Sequence, residues 1–322
     1  MNWASVKNLL ILMLVLANVF LLYNIFVQNR TRSYISESEL RDAAGLISGR
    51  GQEIGLSGIP LGRFDMAIYE SSYPGDESYY KSVAARISGD TEMRVYPMPD
   101  GSTRVSAGQS GESVNFEFTK DFSFVFWNDD NPESAAYTDI TADDFVEKIE
   151  SGEELTRTRL AALSKLAIAF LGTADDETGL SALIEGGYRG TDGSSYVVVS
   201  QRLSDAPVFR HRVVCVFEGG ELVAAVGRWY FGKTGASYDY EFYDQINILF
   251  ANLRDLESER ESTDEKLPRV VSMSSCVAAY MDPDKTALYF IPAWEITHDD
   301  GRVIVYNAAQ NTRYYSGETA RQ

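Results

Sequence analysis

The sequence predicts an α+β protein: an N-terminal transmembrane helix followed by α+β lobes, with repeated helix-plus-antiparallel-sheet units in the C-terminal half. Three observations predict it. Asn8 to Asn29 is a run of 22 residues without a charge, bounded by Lys7 and Arg30. Two later stretches, roughly 153–231 and 241–310, each read as an amphipathic helix followed by strands. Between those strands stand hairpin signals, Gly219-Gly220 and Asp300-Gly301.

The uncharged run holds Leu9 to Leu16 and Val19 to Leu22, both almost solidly apolar. As a helix it spans about 33 Å, enough for a hydrocarbon core of roughly 30 Å. A cleavable signal peptide has a shorter apolar run, about 7–15 residues, and a small-residue cleavage site. Tyr23 to Arg30 offers no such site, so an uncleaved anchor is expected. Lys7 on one side and Arg30 and Arg32 on the other leave its orientation open. Asn8, Ile11, Val15, Asn18 and Leu22 recur at helical spacing, which predicts a partner-binding face. An amide in lipid seeks a partner, and an interhelical hydrogen bond contributes ~0.6–2 kcal/mol. The domain plan is an anchor over 1–29, an N-terminal α+β lobe over 33–132, and helix-plus-sheet units over 141–235 and 236–312.

After the anchor, Ser36 followed by Glu39 is a capping box, predicting a helix to about Ile47 that Gly49 and Gly51 end. Phe64 to Tyr69 alternates as a strand, and Ser78 to Ile87 reads as a short helix. Met93–Pro97, Arg104-Val105, Val114–Phe118 and Phe122–Trp127 are strand-like. Thr141 with Asp143 and Asp144 starts another short helix. Glu153 to Leu171 carries an apolar face through Leu160, Leu163, Leu166, Ala167 and Phe170, and Gly172 stops it. Strands are predicted near 187–188, 195–203, 210–218 and 221–231, then a helix over Asp244–Leu256. Strands at 269–280, 286–297 and 302–306 follow. A helix laid on a small antiparallel sheet buries both apolar surfaces.

Composition narrows the function. The 322 residues carry 47 acidic and 29 basic groups, a net charge of -18, which argues against nucleic acid as a partner. Cys215 and Cys276 sit in apolar runs and read as small buried hydrophobes, or as one disulfide in an exported body. His211, between Arg210 and Arg212, and His298, in a turn, read as surface residues and supply no metal site. There is no G-x-S-x-G, no phosphate-binding loop and no calcium-hand loop. Carboxylate runs such as Asp129-Asp130 and Asp175-Asp176-Glu177 read as solvated turns. The aromatic stretch Tyr238 to Tyr243 is a candidate contact surface. No catalytic residue, metal or cofactor is expected.

Two segments carry a family resemblance. Met1-Asn2-Trp3, Lys7 and the run into Asn18-Val19-Phe20-Leu21-Leu22-Tyr23 resemble the start of the YycI family, membrane-anchored regulators of the WalK (YycG) histidine kinase in Gram-positive bacteria. Tyr289 to Ile296 with Val303 to Ala308 is similar to that family's closing strands and to PepSY-type modules. The resemblance implies a single-pass protein of the cell membrane with an extracytoplasmic body. It would be non-enzymatic and would bind a sensor histidine kinase and a sister regulator of YycH type. The alternatives are a membrane-tethered envelope hydrolase and a PepSY-like inhibitor or ligand-binding module.

Overall fold

The structure, a computed structural model, describes residues 13–16, 18, 34–62, 66–72, 77–88, 93–99, 101–107, 114–119, 122–128, 153–172, 179–190, 193–260, 262, 266–281 and 287–318. In chain order its elements are α1 (Glu37–Ser48), β1 (Ile68–Ser72), α2 (Glu77–Ser88), β2 (Met93–Pro97), β3 (Thr103–Ala107), β4 (Val114–Phe118) and β5 (Ser123–Asn128). Then come β6 (Glu153–Glu154), α3 (Arg157–Leu171), β7 (Leu180–Arg189), β8 (Ser195–Leu203), β9 (Ala206–Glu218), β10 (Glu221–Arg228) and β11 (Ser237–Tyr238). The chain closes with α4 (Gln245–Glu259), β12 (Val270–Met281), β13 (Ala287–His298), β14 (Arg302–Asn307) and β15 (Thr312–Glu318).

Local chemistry sets the element ends. The Ser36 hydroxyl accepts from the Glu39 amide while the Glu39 carboxylate accepts from the Ser36 amide, the reciprocal cap that starts α1. Thr156 and Asp244 cap α3 and α4. Gly172 ends α3 at φ 69°. Gly219 and Gly220, at φ 59° and 107°, form the tight turn between β9 and β10 that needs two positive φ values.

Three times a helix is followed by a four-strand antiparallel meander: α2 with β2–β5, α3 with β7–β10, and α4 with β12–β15. The first two meanders join through their last strands, β5 antiparallel to β10 with Phe126 opposite Ala225. Their helices cover the same face. Tyr80, Val83 and Ala84 of α2 meet Leu163, Ala167 and Phe170 of α3 over Phe116, Phe118, Phe124, Phe126 and Phe217. In the third unit α4 and α1 share a core with Trp294, Ile296, Ile304 and Tyr306. The first half of β9 lies parallel to β12, Val208 beside Val277, and links the two bodies.

Two expectations are overturned. The described residues are not α+β lobes: 48% are strand and 27% helix, and fifteen strands form one connected sheet. The cause lies in β5. Phe124, Val125, Phe126 and Trp127 make both its faces apolar, so it takes an interior position beside β10 instead of ending a separate lobe. Nor does the membrane placement hold. Among the described residues no helix is long and apolar enough to cross a membrane. The longest, α3 and α4, have 15 residues each, about 22 Å. Of the predicted anchor, Met13–Leu16 and Asn18 are helical and exposed, and the rest of 8–29 lies outside the described residues. The expected single-pass placement in the cell membrane is therefore not seen among the described residues.

The structure also redraws boundaries. Glu153 and Glu154 pair with β7 as a short strand rather than opening α3. The strand near 187–188 extends over ten residues as β7. The helix expected from Thr141 lies outside the described residues. β15 was not predicted, and neither was the pairing of β1 with β13.

Candidate functional site

The groove of most chemical interest forms where β9, β12 and β15 converge. Hairpin β14–β15 curls back over the sheet, so the Tyr314 hydroxyl donates to the Ala279 carbonyl of β12 at 2.7 Å. The Tyr315 ring packs on Phe209 of β9, centroids 5.1 Å apart. This leaves a cavity of about 380 Å³ lined by Phe122, Arg210, His211, Arg228, Tyr280 and Tyr315, with Phe209, Ala279, Met281 and Tyr314 completing the described wall.

The backbone is bent to make this wall. Among the described residues, five other than glycine have positive φ: Phe122, Ser204, Asp205, Arg210 and Asn311. Ser204 and Asp205 turn β8 into β9, and Asn311 lies in the turn into β15. The other two, Phe122 at 67° and Arg210 at 60°, both line the groove. A left-handed conformation of a bulky residue costs on the order of 1–3 kcal/mol. Arg210 sits where β9 leaves β12 and begins pairing with β10. The bulge directs its guanidinium over the Tyr315 ring at 4.5 Å.

Two of the groove's lining residues, His211 and Phe122, are backed by a hydrogen-bonded lock. Gln201, fully buried where the β8–β9 register shifts, accepts the Tyr230 amide at 3.1 Å and donates to the Tyr230 carbonyl at 2.8 Å. The same amide oxygen accepts from His211 Nδ1 at 2.8 Å, which puts that proton on Nδ1. Phe122 packs on both the His211 and Tyr230 rings. Arg228 donates to Ser123 Oγ at 3.2 Å, and its charge reaches the Tyr314 phenol, whose proton affinity burial raises. No carboxylate lines the groove among the described residues.

The predicted site residues lie elsewhere. Val15 and Asn18 are helical and exposed, and Asn8, Ile11 and Leu22 lie outside the described residues. Nothing described brings these positions together with the groove. Both histidines are buried, not on the surface as expected. His298 Nδ1 donates to the Arg302 carbonyl at 3.2 Å and Nε2 accepts from Asn252 of α4 at 3.3 Å. Burial lowers its pKa below the ordinary 6.5. Cys215 and Cys276 are free and buried, and burial pushes the Cys215 thiol up to about 12. In the aromatic stretch, Tyr238, Tyr240 and Tyr243 are exposed while Phe242 packs against the C-terminal core.

Sequence reasoning assigned no role to the groove. The signal that points to it is Arg210-His211-Arg212, a basic run inside an otherwise apolar strand. Comparison with protein-family models gives no match, and comparison with curated proteins gives none either.

Proposed function

We propose that this chain is a non-enzymatic regulator of YycI type that works by contact, binding and modulating a sensor histidine kinase together with a sister regulator of YycH type. The sequence likeness of Met1–Tyr23 and Tyr289–Ala308 supports the family. The observation that carries the contact mode is the engagement of the most versatile catalytic groups in architecture. His211 is tied to Gln201, His298 bridges α4 to β14, and Cys215 and Cys276 lie in sheet cores. A general base needs reach to its substrate, and a nucleophilic cysteine needs access and a lowered pKa. Exposed apolar groups at Met13–Leu16, beside Asn18, provide a helical contact surface.

Reconstitution tests this. The full chain added to a purified WalK-type kinase in mild detergent should change the initial autophosphorylation rate at least about twofold and co-elute with it. Asn18→Leu should weaken both effects. Unchanged rates with no co-elution sink the reading. A second reading, a PepSY-like inhibitor or ligand-binding module, is favoured by the Arg210–Tyr315 groove.

A further inference from the structure

The geometry points to a small-molecule site at the junction of β9, β12 and β15 that takes an organic anion: an apolar or aromatic body carrying one carboxylate or phosphate group. This goes beyond the regulatory reading and does not depend on it. The chain carries -18 overall, yet the described lining of this cavity offers two guanidinium groups, Arg210 and Arg228, and no carboxylate.

Several described cations elsewhere meet acids. Arg50 pairs with Glu257, Arg104 with Glu117, Arg212 with Glu185 and Arg313 with Glu259. Arg210 forms no ion pair among the described residues and stacks on Tyr315 instead. A stacked guanidinium keeps its N–H edges available for a bidentate oxyanion, the pairing that arginine makes best. Phe122, Phe209, Tyr280 and Tyr315 supply flat apolar walls beside it. At about 380 Å³ the cavity falls within the range of ligand sites, roughly 300–1,000 Å³.

The backbone supports the same conclusion. Glycine would hold φ 60° at position 210 without strain. The chain instead places an arginine there, and a phenylalanine at φ 67° across the groove. Strain of this kind collects at sites where a side chain must be aimed.

Calorimetric titration of the full chain tests the site with four probes: hydrocinnamate, phenyl phosphate, inorganic phosphate and the uncharged hydrocinnamyl alcohol. At least one of the first two should bind, and whichever binds tighter identifies the oxyanion. The alcohol and inorganic phosphate should each bind at least about tenfold more weakly, because each lacks half of the recognised chemistry. Arg210→Gly should weaken the anion at least about tenfold while keeping the fold, since glycine relieves the strained φ. Far-UV circular dichroism and the melting temperature of that variant check this. Tyr315→Leu, which removes the stacking ring, should weaken the anion as well. Equal affinity in Arg210→Gly, equal affinity for the alcohol, equal affinity for inorganic phosphate, or no binding of either aromatic anion at millimolar concentration would each overturn the assignment.

Discussion

The double-meander body and the C-terminal body solve one problem in two ways. Each is built on a helix followed by a four-strand meander, and one helix is too narrow to cover such a sheet. In the first body two like units supply each other's cover. β5 joins β10, and α2 and α3 lie together over a core rich in phenylalanine. In the C-terminal body the described residues offer no second meander. α1, from the other end of the chain, takes the second helix position, and β1 adds to β13. The core there is mostly aliphatic: Leu40, Ile47, Ile248, Leu249, Ile296 and Ile304 around Trp294. A repeated order of elements therefore fixes the local unit but not what buries it.

The largest expected effect tests whether the two bodies are one cooperative unit. Phe116 and Trp294 are central to the two cores and almost wholly buried. Phe116→Ala and Trp294→Ala should each cost about 3–5 kcal/mol. The bodies share a third cluster, in which Leu203, Val208 and Tyr230 meet Val277, Leu288 and Phe290. The Ser71 hydroxyl also bonds to Tyr230 across the joint. Urea unfolding followed by far-UV circular dichroism and by tryptophan fluorescence should therefore give one coincident transition for each variant. Two separated transitions would show that the joint is weaker than either core.

Much of the local order was legible, because caps, turns and alternation act within a few residues. Ser36 and Glu39, Gly172, Gly219-Gly220 and the bounds of β2, β4 and β8 follow from such rules. Long-range pairing was not legible. That β5 continues into β10, or that β12 runs parallel to β9, depends on which apolar faces remain uncovered after the meanders form. β15 was missed because Thr312-Arg313-Tyr314-Tyr315 is polar along an exposed edge and follows no clear alternation. The groove was missed for a related reason. Its walls come from positions as distant as Phe122 and Tyr315, and the positive φ of Arg210 leaves no mark in composition or spacing.

A middle-sized effect sharpens the comparison at two buried glutamines. Gln201 in the first body satisfies the N–H and C=O of Tyr230 and the Nδ1 proton of His211. Gln245 in the second donates from α4 to the carbonyls of Pro60 and Gly62, fastening the segment after α1. Gln201→Leu removes the shared acceptor of two buried donors and should cost about 1–3 kcal/mol. Gln245→Leu leaves only carbonyls, which tolerate under-satisfaction better, and should cost less. Chemical denaturation midpoints rank the two. The reverse ranking would place the tighter lock in the C-terminal body.

The smallest effect concerns pH and belongs to the C-terminal body. Glu295 lies on β13 opposite Ser274, half-buried on the face that carries Cys276. Burial raises its carboxyl above the ordinary 4.5, so the folded chain holds this proton more tightly than the unfolded chain does. Its contribution to stability is therefore fully present below 4.5 and is lost as pH rises through the raised value. Glu295→Gln removes that loss. The variant should be more stable than the parent near neutral pH, and the difference should vanish below 4.5. His298, with its lowered pKa, weakens the fold as pH falls below 6.5, but in both proteins alike, so it cancels from the difference. Urea midpoints of variant and parent across this range read the effect directly. A difference that stays flat with pH would mean that Glu295 is solvated in solution, and that the reverse face of this sheet is more open than that of the double-meander body.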